Sequence, residues 1–375
     1  MKIDAAYPGG NIVVESIQDH DVHLHQDLRD TPVPWFYWCF RVREAHGKTG
    51  RFHFTQSRAI GVRGPAISLD HGRTWAWLGS ESVDGQSFSW QPPKDCAEAR
   101  FSFGMPYQWT DWERFLQSHR NHAHILVETL CQSEEGRAVP ALRMGKLTGA
   151  PRFRVAVAAR HHCCEMMVNY TLEGLIAWVL DDTSAEAAWL RQHVEFMIFP
   201  MVDLDGVERG DQGKSRHPRD HGRDYEGESL YRSTNAIRQR IPAWSQGRLH
   251  TLIDLHCPWI AGEHNEVIYL VGTQDPAIAK EQVRFSAILE EARQGPLPVR
   301  KQDFLPHGQA WNTAANYKGG CGFSRWGATL SGISLSTSIE IPYANALGVE
   351  VNQETARQFG PDLARALAVY LTAGE

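Results

Sequence analysis

The sequence predicts an α/β protein in which a mixed sheet, sandwiched by helices, follows a small β-sandwich domain. Roughly the first hundred residues contain short β-patterned runs separated by clusters of Gly, Pro, Asp and Asn. After residue 106, strands alternate with helices, a pattern typical of a layered sheet covered on both faces. A chain of 375 residues also exceeds one typical core. We therefore predict a β-sandwich domain at 1–106 and a second domain at 107–375.

The predicted sandwich consists of short strands without intervening helices, unlike a series of βαβ units. Its most aromatic run, at residues 35–38, is interpreted as alternating core and surface positions of one strand rather than as a ligand platform. The predicted strands are 11–15, 35–43, 51–55, 74–78 and 100–103.

The second domain is predicted to open with a helix. Thr110 and Glu113 have the spacing of a capping box, which indicates a helix from 110 to about 130. Further along, Ser184 is expected to cap a short helix. The remaining periodicities predict strands at 153–159, 194–202, 249–255, 267–271 and 333–341, and helices at 165–180, 184–191, 276–293 and the C-terminus.

Composition excludes several classes of partner. The formal charge is −6 and the basic residues are not gathered into runs, which argues against nucleic acid or an anionic membrane surface. No apolar run is long enough to span a bilayer, and the N-terminal residues lack the pattern of a signal peptide. The 7 cysteines include no CxxC pair, so a disulfide framework is not expected. We therefore expect a cytoplasmic protein.

Two strand ends carry residues that zinc accepts as ligands. His162 and Glu165 follow the strand 153–159, and His256 closes the strand 249–255 two residues after Asp254. Ligands at the carboxyl ends of strands in an α/β sheet lie where such folds bind substrates, and a catalytic zinc takes three protein ligands plus water. Taken alone, each of these motifs could equally consist of hydrogen-bonded structural residues, and His161 is an alternative ligand to its neighbour His162. Because two separate strand ends both carry residues that bind zinc, the metal site is the favoured interpretation.

Two further segments carry charges that need an explanation. Glu340 lies in the β-patterned run 332–341, where a carboxylate must be either salt-bridged or exposed to an active-site crevice as a general base. The segment 211–225 is dense in Arg, Asp and Gly, and it contains Arg216 and Arg223. A guanidinium group suits a substrate carboxylate, but a solvated charged loop explains the same composition.

Taken in order, these motifs resemble the zinc metallocarboxypeptidases. The resemblance is carried by residues 134–137, 159–165, 200–207, 254–256 and 338–340. More narrowly, the chain is similar to the cytosolic branch of that family, which includes tubulin-deglutamylating enzymes and bacterial members and has an extra N-terminal β domain. Residues 10–12, 34–37, 67–70 and 105–110 look like the markers of that domain.

The resemblance implies a set of roles. His162, Glu165 and His256 would hold one Zn²⁺ per chain, and Glu340 would be the general base. Arg223 matches the arginine that grips the C-terminal carboxylate of a peptide or protein substrate. Where many members have an asparagine and an oxyanion-stabilising arginine, this chain has Gly222 and Gly213, which leaves Arg216 as the nearest substitute. Tyr317 precedes the Glu340 strand as the substrate-capping tyrosine does.

Three functions remain open at the level of sequence. The first is a metallocarboxypeptidase that hydrolyses a C-terminal peptide or isopeptide bond. The second is an aspartoacylase-like deacylase of N-acyl amino acids, since cleaving a small amide needs the same metal, acid and arginine. The third is a non-catalytic binding protein that retains the fold, which Gly213 and Gly222 favour and the retained ligands oppose. The sequence also leaves open whether the chain forms a homo-oligomer.

Overall fold

The structure, a computed structural model, describes residues 1–45 and 47–373. Its N-terminal part contains two sheets of 5 strands each, in the orders β1-β4-β10-β6-β7 and β2-β3-β5-β9-β8. The strands are β1 Lys2–Asp4, β2 Val13–Gln18, β3 Asp21–His25, β4 Cys39–Arg43, β5 Gly50–Phe54, β6 Ala66–Ser68, β7 Ala76–Trp77, β8 Val83–Asp84, β9 Ser87–Trp90 and β10 Glu98–Ser102.

Aromatic side chains hold these two sheets together. Phe40 of β4 and Phe101 of β10 face Phe52 of β5, with ring centroids 5.6 Å apart in both pairs. Phe88 of β9 lies 5.3 Å from Phe101. Rings at these distances contribute beyond the area they bury. The predicted β-sandwich therefore forms from alternating inward-facing positions of both sheets.

The aromatic run at 35–38 differs from its prediction. Residues 35–38 precede β4 rather than forming part of it, and Phe36, Tyr37 and Trp38 are all buried. Buried and exposed positions therefore do not alternate along this run as they would in a strand with one solvent-facing side. Tyr37 donates from its hydroxyl to the carbonyl of Gly9, and Trp38 donates from its indole to the carbonyl of Ala59.

The first helix of the second part, α1 (Trp109–His119), begins and ends earlier than its predicted 110–130. The carboxylate of Asp111 accepts from the backbone N–H of Gln108, so Thr110 already lies inside the helix and is not its cap. The chain then forms β11 (Ile125–Gln132), which pairs antiparallel with β12 (Ala138–Gly145). The predicted continuation to residue 130 is wrong because this β-branched segment gains a strand partner.

A 7-stranded mixed sheet in the order β11-β12-β14-β13-β15-β17-β16 forms the centre of the second part. Its inner strands β14, β13, β15 and β17 are parallel, and the outer strands pair antiparallel. The remaining strands are β13 Phe153–Ala159, β14 Val194–Phe199, β15 Leu249–His256, β16 Tyr269–Val271, β17 Leu335–Glu340, β18 Asn345–Ala346 and β19 Val349–Glu350. The helices are α2 Met167–Asp181, α3 Ala185–His193, α4 Leu204–Arg209, α5 Arg232–Ser245, α6 Pro276–Ala292, α7 Phe323–Gly327 and α8 Gln353–Thr372.

Helices cover both faces of this sheet, as predicted. Val155 and Val157 of β13 point into a core shared with α2, α6 and α8, whereas Ala156 and Ala158 point into a second core shared with α5 and α7. Because both faces are buried, β13 and β14 are predominantly apolar, with one charged residue each, Arg154 and Glu195. Ser184 accepts from the backbone N–H of Ala187 and caps α3, as predicted from the sequence.

The sheet brings three chain segments to one edge. The parallel register pairs Ala159 with Leu255 and His256 with Glu340. The carboxyl ends of β13, β15 and β17 therefore meet at one place, and the residues that follow them can share a site.

The two predicted domains share a continuous core. Phe36 and Phe103, from before residue 106, lie 5.6 Å and 4.8 Å from the ring of Tyr343. The boundary at 106 stays a prediction. All 7 cysteines are free thiols. Within residues 1–45 and 47–373, no helix combines the length and the apolar run needed to cross a bilayer.

Candidate metal centre and active site

The corner between β13 and α2 is fixed by a buried arginine. Arg160 adopts φ 62°, a left-handed conformation that side chains rarely take. Its guanidinium group donates to the carbonyl of Cys163 at 2.8 Å and to Asn169 Oδ1 at 2.8 Å. These bonds fold the chain back on itself immediately after the strand. The turn presents His162 and Glu165 at the same edge as His256.

His162, Glu165 and His256 form a compact, buried ligand set. Their ligand atoms all lie within 4.8 Å of one another. Glu165 Oε1 is 2.8 Å from His162 Nδ1, and Glu165 Oε2 is 2.7 Å from His256 Nδ1. Burial opposes ionisation of Glu165, but the charges and hydrogen bonds of the two histidines hold its pKa well below the usual range. The carboxylate is therefore ionised and ready to ligate.

Each of the two histidines has a carboxylate at its far nitrogen. His256 Nε2 lies 2.8 Å from Asp254 Oδ2, so the ring proton is favoured on Nε2 and Nδ1 is the nitrogen that faces Glu165. His162 Nε2 lies 3.6 Å from Asp220 Oδ1, and neither atom has a hydrogen-bond partner among the described residues. A carboxylate behind a ligating imidazole orients the ring and raises its basicity.

His161 has no nitrogen left for a metal. Its Nδ1 is 2.7 Å from Asp254 Oδ1, and its Nε2 is 2.7 Å from the hydroxyl of Tyr225. The alternative cluster of His161, Asp254 and His256 is thus a hydrogen-bonded chain that supports His256.

The residues present fit a catalytic zinc centre. Two imidazole nitrogens and one carboxylate make up a known donor set of catalytic zinc, which leaves a coordination position for water or substrate. The buried, unpartnered Nε2 of His162 is an independent sign that this ring is held for a purpose other than packing.

Glu340 faces the same cavity from the end of β17. Burial raises its pKa to about 7, which the neighbouring His256 opposes and Glu165 reinforces. Among the described residues its carboxyl group has no salt bridge within 4.0 Å, so the salt-bridge explanation from the sequence finds no partner. A carboxyl with a pKa near neutrality in a cleft is suited to accept and return a proton.

The cavity encloses about 810 Å³ of open space, including its mouth. The guanidinium carbons of Arg223 and Arg325 lie 5.2 Å and 5.9 Å from the centroid of the Tyr317 ring. The tyrosine hydroxyl donates to Asn312 Oδ1 at 2.7 Å. Within the described chain, neither arginine forms an ion pair. Other lining residues are His162, Lys214, His256, Ser324, Ser338 and Glu340.

Arg216 is not brought to the cavity. Its Nη1 lies 2.8 Å from Asp203, its Nη2 lies 3.0 Å from Asp211, and its Nε lies 3.3 Å from Asp30. All three nitrogens of the guanidinium group are therefore occupied by carboxylates. We do not propose Arg216 as the cation at the oxyanion, contrary to the expectation from the sequence.

The two glycines that depart from the family pattern pack tightly against the metal ligands. Gly213 has φ 74°, and a Cβ there would lie 2.5 Å from the backbone nitrogen of Cys163. A Cβ at Gly222 would lie 2.6 Å from His162 Nε2. The loop therefore approaches His162 more closely than any side chain at these positions would permit.

Sequence reasoning missed three residues of the cavity region. Asp220 lies three residues before Arg223, in a segment that was interpreted only for its arginines. Lys214 and Arg325 carry no motif, and only the fold places them beside His162 and Tyr317. Asp254, two residues before His256 in β15, contacts that histidine at 2.8 Å.

Part of the chain matches a known family. Residues 112–245, just over a third of the chain, match the family model described as zinc carboxypeptidase. This span contains His162, Glu165, Asp220 and Arg223, and it ends before His256 and Glu340.

Several curated proteins are similar in sequence. Cytosolic carboxypeptidase 2 of Xenopus tropicalis is 26% identical over 262 residues, covering 60% of this chain and 27% of the relative. The human protein of the same name is 29% identical over 263 residues, covering 60% and 29%. An uncharacterised protein of Zymomonas mobilis is 25% identical over 218 residues, covering 56% and 55%. The chain thus spans from about a quarter to about half of the length of these relatives.

Solved structures match over the whole chain. A metallo-carboxypeptidase from Burkholderia cenocepacia superposes with a TM-score of 0.82 at 21% identity, covering 100% of both chains. A metallo-carboxypeptidase from Pseudomonas aeruginosa, in complex with (2-guanidinoethylmercapto)succinic acid, gives a TM-score of 0.76 at 21% identity and covers 99% of both chains. These matches confirm the predicted resemblance and fold class. The chain therefore has the fold of the bacterial metallo-carboxypeptidases, and its residues 112–245 are similar to the zinc carboxypeptidase family.

Proposed function

We propose that this protein is a zinc-dependent carboxypeptidase that hydrolyses a C-terminal peptide or isopeptide bond. One observation carries the proposal: the cluster of His162, Glu165 and His256 opens into the same cavity as Glu340 and Arg223. A metal site, a carboxyl group of raised pKa and an unpaired cation are what hydrolysis next to a free carboxylate requires.

The three ligands would bind one Zn²⁺, with Asp254 holding the proton of His256 at Nε2 and Asp220 facing Nε2 of His162 at 3.6 Å. When bound, zinc polarises a carbonyl group and lowers the pKa of water toward about 7. Glu340 takes the proton of the attacking water and returns it to the leaving amine. This group lies beside His256 in the sheet register, so it is close to the ligand set without being part of it.

Substrate binding is assigned to the opposite wall of the cavity. Arg223 pairs with the terminal carboxylate in a charge-assisted, bidentate interaction, and Tyr317 covers it. Arg325, which also lies over the Tyr317 ring, is free to bind a second carboxylate. Ser324 and Ser338, joined at 2.9 Å, add a polar wall to the cavity. We therefore propose that the residue removed is acidic.

A panel of substrates tests this function. The zinc-loaded protein should cleave peptides ending in Glu or Asp faster than peptides ending in Leu or Lys, and it should spare the C-terminally amidated forms. Arg223→Ala should depress cleavage of free-acid peptides far more than of amidated ones. Arg325→Met should reduce the preference for acidic ends while leaving leucine-ending peptides unaffected.

The same panel separates the alternatives. Faster cleavage of N-acyl amino acids than of any peptide would establish the deacylase function instead. Tight binding of acidic peptides without turnover, in protein that contains zinc, would establish the binding protein. Equal loss on free and amidated substrates in Arg223→Ala would show that Arg223 is structural.

A further inference from the structure

Lys214 places an ammonium group in the cavity beside the ligand set. It lies in the turn between Gly213 (φ 74°) and Ser215 (φ 54°), and its half-buried side chain lines the same cavity as His162, His256 and Glu340. The turn itself packs against the backbone of Cys163, where only a glycine fits at position 213. The neighbouring side chain is therefore the one that this loop directs toward the cavity.

The charge of Lys214 is not neutralised by the protein. Arg209 and Arg216, which flank it in sequence, both pair with the carboxylate of Asp211. Lys214, by contrast, has no carboxylate within 4.0 Å among the residues that the structure describes. Burial raises the pKa of Glu340, and Lys214 is one of the positive charges that oppose this rise. An unpaired cation that acts on the proposed base is available to a developing negative charge.

The N-terminal domain holds Lys214 in place. Asp30 accepts the backbone N–H of Gln212 at 2.9 Å and that of Gly213 at 2.8 Å, which fixes the turn. The ammonium nitrogen lies 5.8 Å from the centroid of the Trp35 ring, which also packs against Phe36 at 4.9 Å and Trp259 at 4.6 Å. An ammonium group over an indole ring is restricted in its motion, but its N–H groups can still donate hydrogen bonds.

We propose that Lys214 is a catalytic residue that donates a hydrogen bond to the scissile carbonyl oxygen as that oxygen becomes negatively charged. It would replace the arginine for which the chain has no room at Gly213, and Asp30 would be its positioning residue. Lys214 transfers no proton: water adds to the carbonyl carbon, the C–N bond breaks, and Glu340 carries the proton from the water to the amine. This inference rests on the proposed function.

The test compares Lys214→Met, Lys214→Arg and, as a matched control, Lys280→Met, an exposed lysine of α6. On a Glu-ending peptide, Lys214→Met should lower kcat by about 10²–10³-fold with KM within a few-fold of wild type. Lys214→Arg should recover at least tenfold of this loss, and Lys280→Met should match wild type. Zinc content should be equal in all four proteins.

Binding of inhibitors gives a readout independent of turnover. By calorimetry, Lys214→Met should weaken binding of a phosphinate peptide that mimics the tetrahedral intermediate, while the dissociation constant of free glutamate stays unchanged. Unchanged phosphinate affinity, or kcat within a few-fold of wild type, would overturn the proposal. So would a loss of zinc that accounts for the whole fall in kcat. If wild type cleaves nothing, the proposed function fails by itself, and the phosphinate comparison still decides the role of Lys214.

Asp30 is tested by a double-mutant cycle. Asp30→Ala alone should lower kcat more than it raises KM, because it releases the turn that carries Lys214. In the Lys214→Met background the same change should have little further effect on kcat. Additive losses in the double variant would show that Asp30 acts on the fold and not through Lys214.

Discussion

At the scale of single residues, the ligand set depends on which nitrogen of each histidine is free. In His162 and His256 the Nε2 atoms face Asp220 and Asp254, and the Nδ1 atoms both face Glu165, where a metal could bind. Both nitrogens of His161 are occupied by hydrogen bonds. The sequence alone does not decide whether His161 or His162 is the metal ligand, because the two residues are adjacent and follow the same strand. Hydrogen-bond partners decide it, and those partners come from distant parts of the chain.

His162→Ala and His256→Ala should therefore lose most bound zinc, while His161→Ala should keep about one ion per chain at saturating zinc. Asp220→Asn should weaken zinc affinity by about 10–100-fold, the usual effect of removing the group behind a ligating imidazole. Competition with a chelator, read by metal analysis, measures both. Complete metal loss in His161→Ala, or none in His162→Ala, would reverse the assignment.

Glu340→Gln tests the base without changing its shape. Turnover should fall by about 10²–10⁴-fold or more at unchanged zinc content.

Ionisation of Glu340 should also make the stability of the fold depend on pH. Because the folded-state pKa is about 7 and the ordinary value is 4.5, the unfolded chain releases this proton first as pH rises. Ionisation therefore destabilises the metal-free fold as pH rises through that window.

The melting temperature of metal-free Glu340→Gln should accordingly equal or exceed that of wild type above pH 7. A lower melting temperature with near-normal turnover would show that Glu340 has a structural partner instead. The same pKa predicts that kcat/KM falls as pH is lowered, because Glu340 becomes protonated and can no longer accept a proton. In the zinc-loaded enzyme the midpoint of this fall should lie below pH 7, because the positive charge of the metal favours the ionised carboxylate. A rate that increases from pH 7 to pH 5 would contradict this.

At the scale of elements, the turn at 211–216 controls how closely the chain approaches the metal ligands. Gly213→Ala combines a left-handed φ with a Cβ 2.5 Å from Cys163 N. Gly227 has a similar φ of 64° but open space around its Cβ. Gly227→Ala should cost about 1–2 kcal/mol for the backbone alone. Gly213→Ala should cost clearly more and reduce zinc affinity, measured by chemical denaturation and metal titration. Equal costs would mean that the close contact relaxes freely.

Strands and helices with a regular pattern of apolar residues could be predicted from the sequence. Elements that depend on pairing with a distant segment could not. The apolar strands β13 and β15 and the helices α6 and α8 match their predictions because burial on both faces leaves a clear pattern. The segment 120–130 was assigned to a helix because its partner β12 cannot be recognised from the local sequence. Likewise, Lys214 and Arg325 belong to the cavity only because the fold brings a turn and the short helix α7 to it.

At the scale of the whole molecule, direct contacts join the N-terminal sandwich to the mixed sheet, so we expect the two to unfold together. Phe36 and Phe103 pack on Tyr343, and Asp30 holds the turn at Gly213. Calorimetry should therefore show a single unfolding transition, and a fragment of residues 107–375 should be insoluble or lack zinc. Two separate transitions, or a stable zinc-containing fragment, would show that the domains are independent.

The register between β15 and β17 has a consequence for the durability of the site. Because His256 and Glu340 are directly opposite residues on adjacent parallel strands, their separation is set by the interstrand spacing of about 4.8 Å. The long connection between these strands can change in length or composition without altering that separation. The proposed substrate wall, to which that connection contributes Tyr317 and Arg325, can therefore change while the separation of His256 and Glu340 stays the same.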